Sequence, residues 1–100
     1  MSRFDHTAID DVIHGRLRLG IMAYLSTVSP APFVELRAKV NATDGNLSTH
    51  LSKLEEAGYV KLDKSFVDKK PRTSVHLTAK GRKAWIEYLN KLQSLLTAAE

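Results

Sequence analysis

The residues best placed to do chemistry in this sequence lie between Thr43 and Arg72. From Thr43 to Glu56 the apolar residues Leu47, Leu51 and Leu54 fall within about 60° of one another on a helical wheel. The opposite side carries Gly45, Asn46, Thr49, Ser52, Lys53 and Glu56, bordered by Ser48 and His50. A face that is merely solvated is more usually built from Glu, Lys and Arg, which favour helix and solubility. Short Asn, Ser and Thr side chains form helix poorly, but at close range they hydrogen-bond phosphate oxygens and base edges. Gly45 lets the backbone approach another surface. Glu56 works against such a contact at the far end, because a carboxylate repels phosphate.

The second group is the turn Asp68-Lys69-Lys70-Pro71-Arg72. In a polyanion contact the lysines meet phosphates and Arg72 enters a narrow minor groove. Asp68 is placed to hold a neighbouring cation. The plain alternative is an ordinary surface turn. The polar helix beside it favours contact, whereas charge placement alone fits a solvated lysine-rich hairpin equally well: net charge is +4 over the whole chain, yet residues 61–83 hold eight Lys and Arg against Asp63 and Asp68. That block is +6 and leaves −2 elsewhere, the footprint of a surface for a polyanion.

Other chemistry finds no support. The chain has no cysteine, which excludes disulfides and thiolate metal sites. His6, His14, His50 and His76 show no ligand spacing, so no metal is expected. The pairs Asp10-Asp11 and Glu55-Glu56 diverge by 100° if helical and make no acid/base site. With no nucleophile beside a base and no glycine-rich phosphate loop, an enzyme is not expected, nor is a cofactor. The polar start Met1-Ser2-Arg3-Phe4-Asp5-His6 is unlike a signal peptide, and no apolar run approaches a membrane span, so a soluble cytoplasmic location is expected.

One hundred residues, 43% of them hydrophobic, suffice for a single domain spanning 1–100. Helical spacing of Ile9, Val12, Ile13, Leu17, Ile21, Met22, Leu25 and Val28 predicts a first helix over about 9–28, ended by Ser29-Pro30-Ala31-Pro32. A second helix covers about 33–40. The connection Asn41-Ala42-Thr43 then allows only a tight turn into a third helix over about 44–57, with Thr43 as its N-cap and Gly58 as its terminator. Two helices so joined form a helix-turn-helix. Alternation of Val60, Leu62 and Phe66, then of Val75 and Leu77, predicts a half-buried antiparallel hairpin over about 60–77. Thr78 caps a last helix over about 79–97. The fold class is mainly α with a small β-hairpin (α+β), in the order helix, helix, helix, hairpin, helix.

Along the last helix Trp85, Tyr88, Leu92, Leu95 and Ala99 approximate an a/d seam that Leu89 and Leu96 widen. This stripe exceeds what one small core needs. It predicts a homodimer interface drawn from Ile9, Ile13, Trp85, Tyr88, Leu92, Leu95 and Leu96; the plain alternative is a helix lying on its own core.

The combination Phe33-x-x-Leu36, Gly45-Asn46-Leu47-Ser48-x-His50-Leu51-x-x-Leu54-Glu55-x-x-Gly58-Tyr59-Val60 and Leu77-Thr78-x-x-Gly81-Arg82 resembles winged-helix transcriptional regulators of bacteria and archaea. It is most similar to short, single-domain members allied to the MarR and ArsR groups. The resemblance implies a homodimer whose third helix enters the major groove while the wing tip, Lys69 to Arg72, reaches an adjacent minor groove. Where MarR-type wings are often arginine-rich after the aspartate, this one has Lys69-Lys70, which lack arginine's planar fork. The Cys and His ligands of metal-sensing ArsR proteins are absent, and the sequence assigns no small-molecule effector.

The expected function is sequence-specific binding of double-stranded DNA and regulation of transcription, as a repressor that occludes a promoter. Asn46, Ser48, Thr49, His50 and Ser52 are the expected base contacts. Thr43, Lys53, Lys69, Lys70 and Arg72 are expected at phosphates or the minor groove. The alternative is a winged-helix protein–protein interaction module without DNA specificity.

Overall fold

The computed structural model describes residues 5–98. Helices α1 (Arg16–Thr27), α2 (Phe33–Lys39), α3 (Asp44–Glu56) and α4 (Ala79–Ala98) enclose a sheet of strands β1 (Ala31–Pro32), β2 (Val60–Val67) and β3 (Lys70–Leu77). The sheet is antiparallel in the order β1-β3-β2. Apolar stripes of all these elements meet in one core. Ile21, Met22 and Leu25 come from α1, Leu36 from α2, and Leu47, Leu51 and Leu54 from α3. Val60, Val75 and Tyr88 close it from the sheet and α4.

The predicted helix over 9–28 is shorter than expected. Asp10 accepts hydrogen bonds from the Val12 and Ile13 amides (2.8 and 3.4 Å), which folds these residues into an isolated turn. Gly15 then takes φ 151°, a conformation open to glycine, and α1 begins only at Arg16. The apolar spacing misled because this turn also buries Ile13. The other Asp10 oxygen accepts from the Tyr59 hydroxyl (2.6 Å), tying the segment to the junction of α3 and β2.

The helix-turn-helix rests on backbone chemistry visible in the sequence. Asn41 adopts φ 55° after α2, so its amide reaches the Ala38 carbonyl and that of Ala42 reaches Arg37. Thr43 caps α3 by accepting from the Asn46 amide (3.2 Å). Gly58, at φ 81°, closes α3 with the same pair of bonds, Gly58 to Glu55 and Tyr59 to Leu54. Strand β1 was not expected. It is two residues long, and Ala31 and Pro32 pair with Val75 and Ser74 of β3.

The hairpin turns on two residues only, Asp68 and Lys69, at φ 53° and 66°. Lys70, Pro71 and Arg72, expected within the turn, are the first residues of β3. Pro71 sits opposite Phe66, next to the closing pair Val67–Lys70. The closing pair is hydrogen-bonded and the pairs alternate, so Phe66–Pro71 exchanges no hydrogen bonds and the missing proline amide costs β2 nothing. Phe66 was expected to be half-buried but is 77% exposed, because the hairpin runs past the end of the core.

The start of α4 is packed against backbone. Thr78 donates its amide to the Tyr59 carbonyl (3.1 Å), and its hydroxyl lies 2.6 Å from the Gly58 carbonyl. That hydroxyl accepts from the Gly81 amide (2.9 Å). A Cβ at Gly81 would fall 2.1 Å from the Tyr59 carbonyl oxygen, so only glycine fits.

Candidate nucleic-acid interface

Burial of Leu47, Leu51 and Leu54 orients α3 and divides the rest of its surface into three strips. Outermost are Gly45, Thr49 and Glu56, all exposed, and nothing stands within 4 Å of the position a Gly45 Cβ would take. On one flank Ser48 and Ser52 share a cleft of ≈ 310 Å³ with Phe33, Leu62, Lys64 and Thr73. On the other flank Asn46 and His50 line a cleft of ≈ 420 Å³ with Arg16, Leu17 and the turn Val40–Ala42. The helix is about 20 Å long, a length the major groove of B-DNA accommodates.

Of the expected base-contact residues, Asn46, Ser48, Thr49 and Ser52 are exposed. Ser52 donates its hydroxyl to the Ser48 carbonyl (3.0 Å) and keeps its lone pairs for a partner. His50 is half-buried on the flank rather than outermost, and its Nδ1 is buried without a hydrogen-bond partner. Burial first, then the charges of Arg18 and Lys53, hold its imidazole below the ordinary histidine value. The Thr43 hydroxyl oxygen is occupied as the α3 cap, and its proton is free to donate. Lys53 is exposed, and Glu55 accepts from the Leu62 amide (3.3 Å), fastening α3 to the wing. The ion pair Arg37–Asp44 (2.9 Å) links α2 to the first turn of α3.

The wing distributes its cations over a tip and two faces. Lys69 occupies the tip. Lys70 and Arg72 point to the face opposite Val75 and the core, and line the groove between β3 and the start of α2. Lys64, Phe66 and Thr73 share the core-side face with Leu62, which places Lys64 beside Ser48 and Ser52. Lys64 was not among the expected contacts. The period-two pattern already pointed to it, since Leu62 and Lys64 must share a face.

Two residues expected at an interface between copies are corrected. Ile13 and Tyr88 are buried within the chain, at 0% and 2% exposure, and offer no surface to a partner. The Tyr88 hydroxyl contacts His14 Nδ1 (2.9 Å) and its ring stacks on Trp85. Ile9, Trp85 and Leu92 are half-buried against the core, Leu95 is half-buried, and Leu96 is 67% exposed. Ile86 and Leu89, at 52% and 43%, continue this exposed apolar strip. Ala99, the last seam position, lies outside the described residues.

A capped helix presenting short polar groups, flanked by a cationic hairpin, is the working surface of a winged helix. Residues 17–96 match the winged helix DNA-binding domain family, and the chain belongs to it. It is 37% identical to an uncharacterised protein of Methanocaldococcus jannaschii over 84 residues, 84% of this chain and 91% of that one. Its fold is similar to that of a transcriptional regulator homologue from Pyrococcus horikoshii OT3, with a TM-score of 0.90, 30% identity and coverage of 100% and 99%. A MarR-family regulator from Silicibacter pomeroyi shares the fold at a TM-score of 0.67 and 19% identity, over 88% of this chain and 58% of its own. This is a DNA-binding domain with the architecture of MarR-like transcriptional regulators.

Proposed function

We propose that the chain acts as a homodimeric, sequence-specific DNA-binding regulator that represses by occupying its site. The observation that carries this reading is the exposed, short side chains of Asn46, Ser48, Thr49 and Ser52 on α3, set beside a wing with cations at its tip and on both faces. In this reading Asn46, Ser48, Thr49 and Ser52 read base edges, and His50 borders them. Thr43, Lys53, Lys69, Lys70 and Arg72 hold phosphates or the minor groove, joined by Lys64. Occlusion requires nothing of the protein beyond binding.

Dimerisation is supported by Ile86, Leu89 and Leu96, which follow one another at spacings of three and seven along α4. Half-buried Leu92 and Leu95 border this strip, and burying it on a second copy removes apolar surface from water. A two-fold dimer would read a pseudo-palindrome with half-sites about one helical turn apart.

Selection from a random duplex pool, followed by a mass measurement of the complex, tests the proposal. The expected result is an enriched, inverted-repeat sequence bound by two chains. Enrichment of no sequence, with binding insensitive to salt, would favour the protein–protein module instead.

A further inference from the structure

The first turn of α1 breaks a rule of helix electrostatics. Arg16 and Arg18 stand at the positive end of the helix dipole, where cations are disfavoured. The turn contains no acidic residue, and Gly15 supplies no side-chain cap. Arg18 folds back over Gly15, with its Nη2 3.8 Å and its Nε 3.9 Å from where a Cβ would stand. Its Nε is buried without a hydrogen-bond partner, as is His50 Nδ1. Among the described residues, the one side-chain ion pair is Arg37–Asp44, so Arg16, Arg18 and Lys53 have no carboxylate counterpart. Arg18 and Lys53 both act on His50, which brings like charges from α1 and α3 to one flank of the recognition helix. This arrangement costs the free protein stability, and an anion would relieve it. Arg16 opens onto the cleft that Asn46 and His50 line, so the anion would sit directly beside the base-reading strip.

We propose that Arg16, Arg18 and Lys53 form a second contact to the DNA backbone, on the flank of α3 away from the wing. Each protomer then grips backbone phosphates on both sides of the groove that α3 enters. The inference rests on α3 being the groove-entering helix. A phosphate is the fitting ligand because a guanidinium such as that of Arg16, which opens onto this cleft, donates to it through two parallel bonds.

Fluorescence anisotropy of a random-sequence duplex of about 30 base pairs, titrated across salt concentrations, tests this. Each lost phosphate contact lowers the slope of log K against log salt by about 0.9. Arg16→Gln/Arg18→Gln should therefore flatten the slope by about 1.8 per protomer, with Lys91→Gln on α4 leaving it unchanged. Arg16 is exposed, so Arg16→Gln alone keeps the fold and should remove about 0.9.

A wild-type slope in both arginine variants, with the slope reduced in Lys69→Gln/Lys70→Gln, would overturn the proposal and leave the DNA-binding reading intact. Salt-insensitive binding by the wild type would overturn both. Inorganic phosphate that raises the wild-type melting temperature but not that of Arg16→Gln, with DNA slopes equal, would assign the site to a free anion and also overturn the proposal.

Discussion

Replacing Gly81 with alanine would test how α4 is fixed to the DNA-binding unit. The added Cβ would lie 2.1 Å from the Tyr59 carbonyl oxygen, 2.8 Å from its carbon and 2.9 Å from Leu77 Cδ1. Contacts shorter than 3.0 Å do not persist, so the first turn of α4 must retreat by roughly 1 Å. The obstacle is backbone, held where Tyr59 accepts from the Thr78 amide, and cannot rotate away. Overpacking of this kind costs about 1–3 kcal/mol, and the strained cap bonds of Thr78 add about 1 kcal/mol. Alanine's better helix propensity returns about 1 kcal/mol. A net loss of about 1–3 kcal/mol should lower the melting temperature by roughly 5–20 °C for a domain of this size. Thermal and urea unfolding followed by circular dichroism measure it. The control is Gly45→Ala, where the space is open: it should gain up to about 1 kcal/mol while its methyl group, on the outer strip, weakens DNA binding. Gly81→Ala unfolding within 1 kcal/mol of the wild type would refute the steric argument.

Lys69 holds φ 66° at the wing tip, a conformation that strains any residue with a Cβ. Lys69→Gly should leave stability unchanged or raise it by up to about 1 kcal/mol, yet lower the salt slope of DNA binding by about 0.9 per protomer; a lower melting temperature would count against strain at the tip. Burial, then the bond to Asp10, pushes the Tyr59 phenol from 10.0 up to about 12. Because the folded value is the higher, the neutral phenol's contribution is complete below pH 10 and is lost as pH rises through 12. Unfolding free energies of wild type and Tyr59→Phe from urea titrations should differ by about 1 kcal/mol at pH 8 and converge above pH 12. Leu89→Glu/Leu96→Glu should give a monomer by light scattering with an unchanged melting profile at low concentration, and a persisting dimer would place the interface elsewhere.

Much of the fold was legible because local backbone chemistry and burial agree. Thr43 and Gly58 cap and terminate α3 by bonds within a few residues, so the bounds of that helix follow from residue type. The leucine stripe of α3 fixes which face is turned outward. The first helix was not legible in this way. Asp10 competes for nearby amides, and an isolated turn that buries Ile13 has the same apolar spacing as a helix. Strand β1 is too short to carry an alternating pattern, and it exists because β3 offers an edge.

The sequence by itself determined the winged-helix order, the polar strip of α3 and the cationic hairpin, since each depends on periodicity or on bonds between near neighbours. Only the tertiary structure decided which apolar residues of α4 remain free. Tyr88 and Leu89 are adjacent in sequence, yet one is buried by the core and the other is exposed. It also decided that Gly81 must be glycine, through a carbonyl 22 residues earlier in the chain. The approach of Arg18 from α1 to His50 on α3 was equally hidden, because a local pattern carries no record of which distant charges a fold brings together.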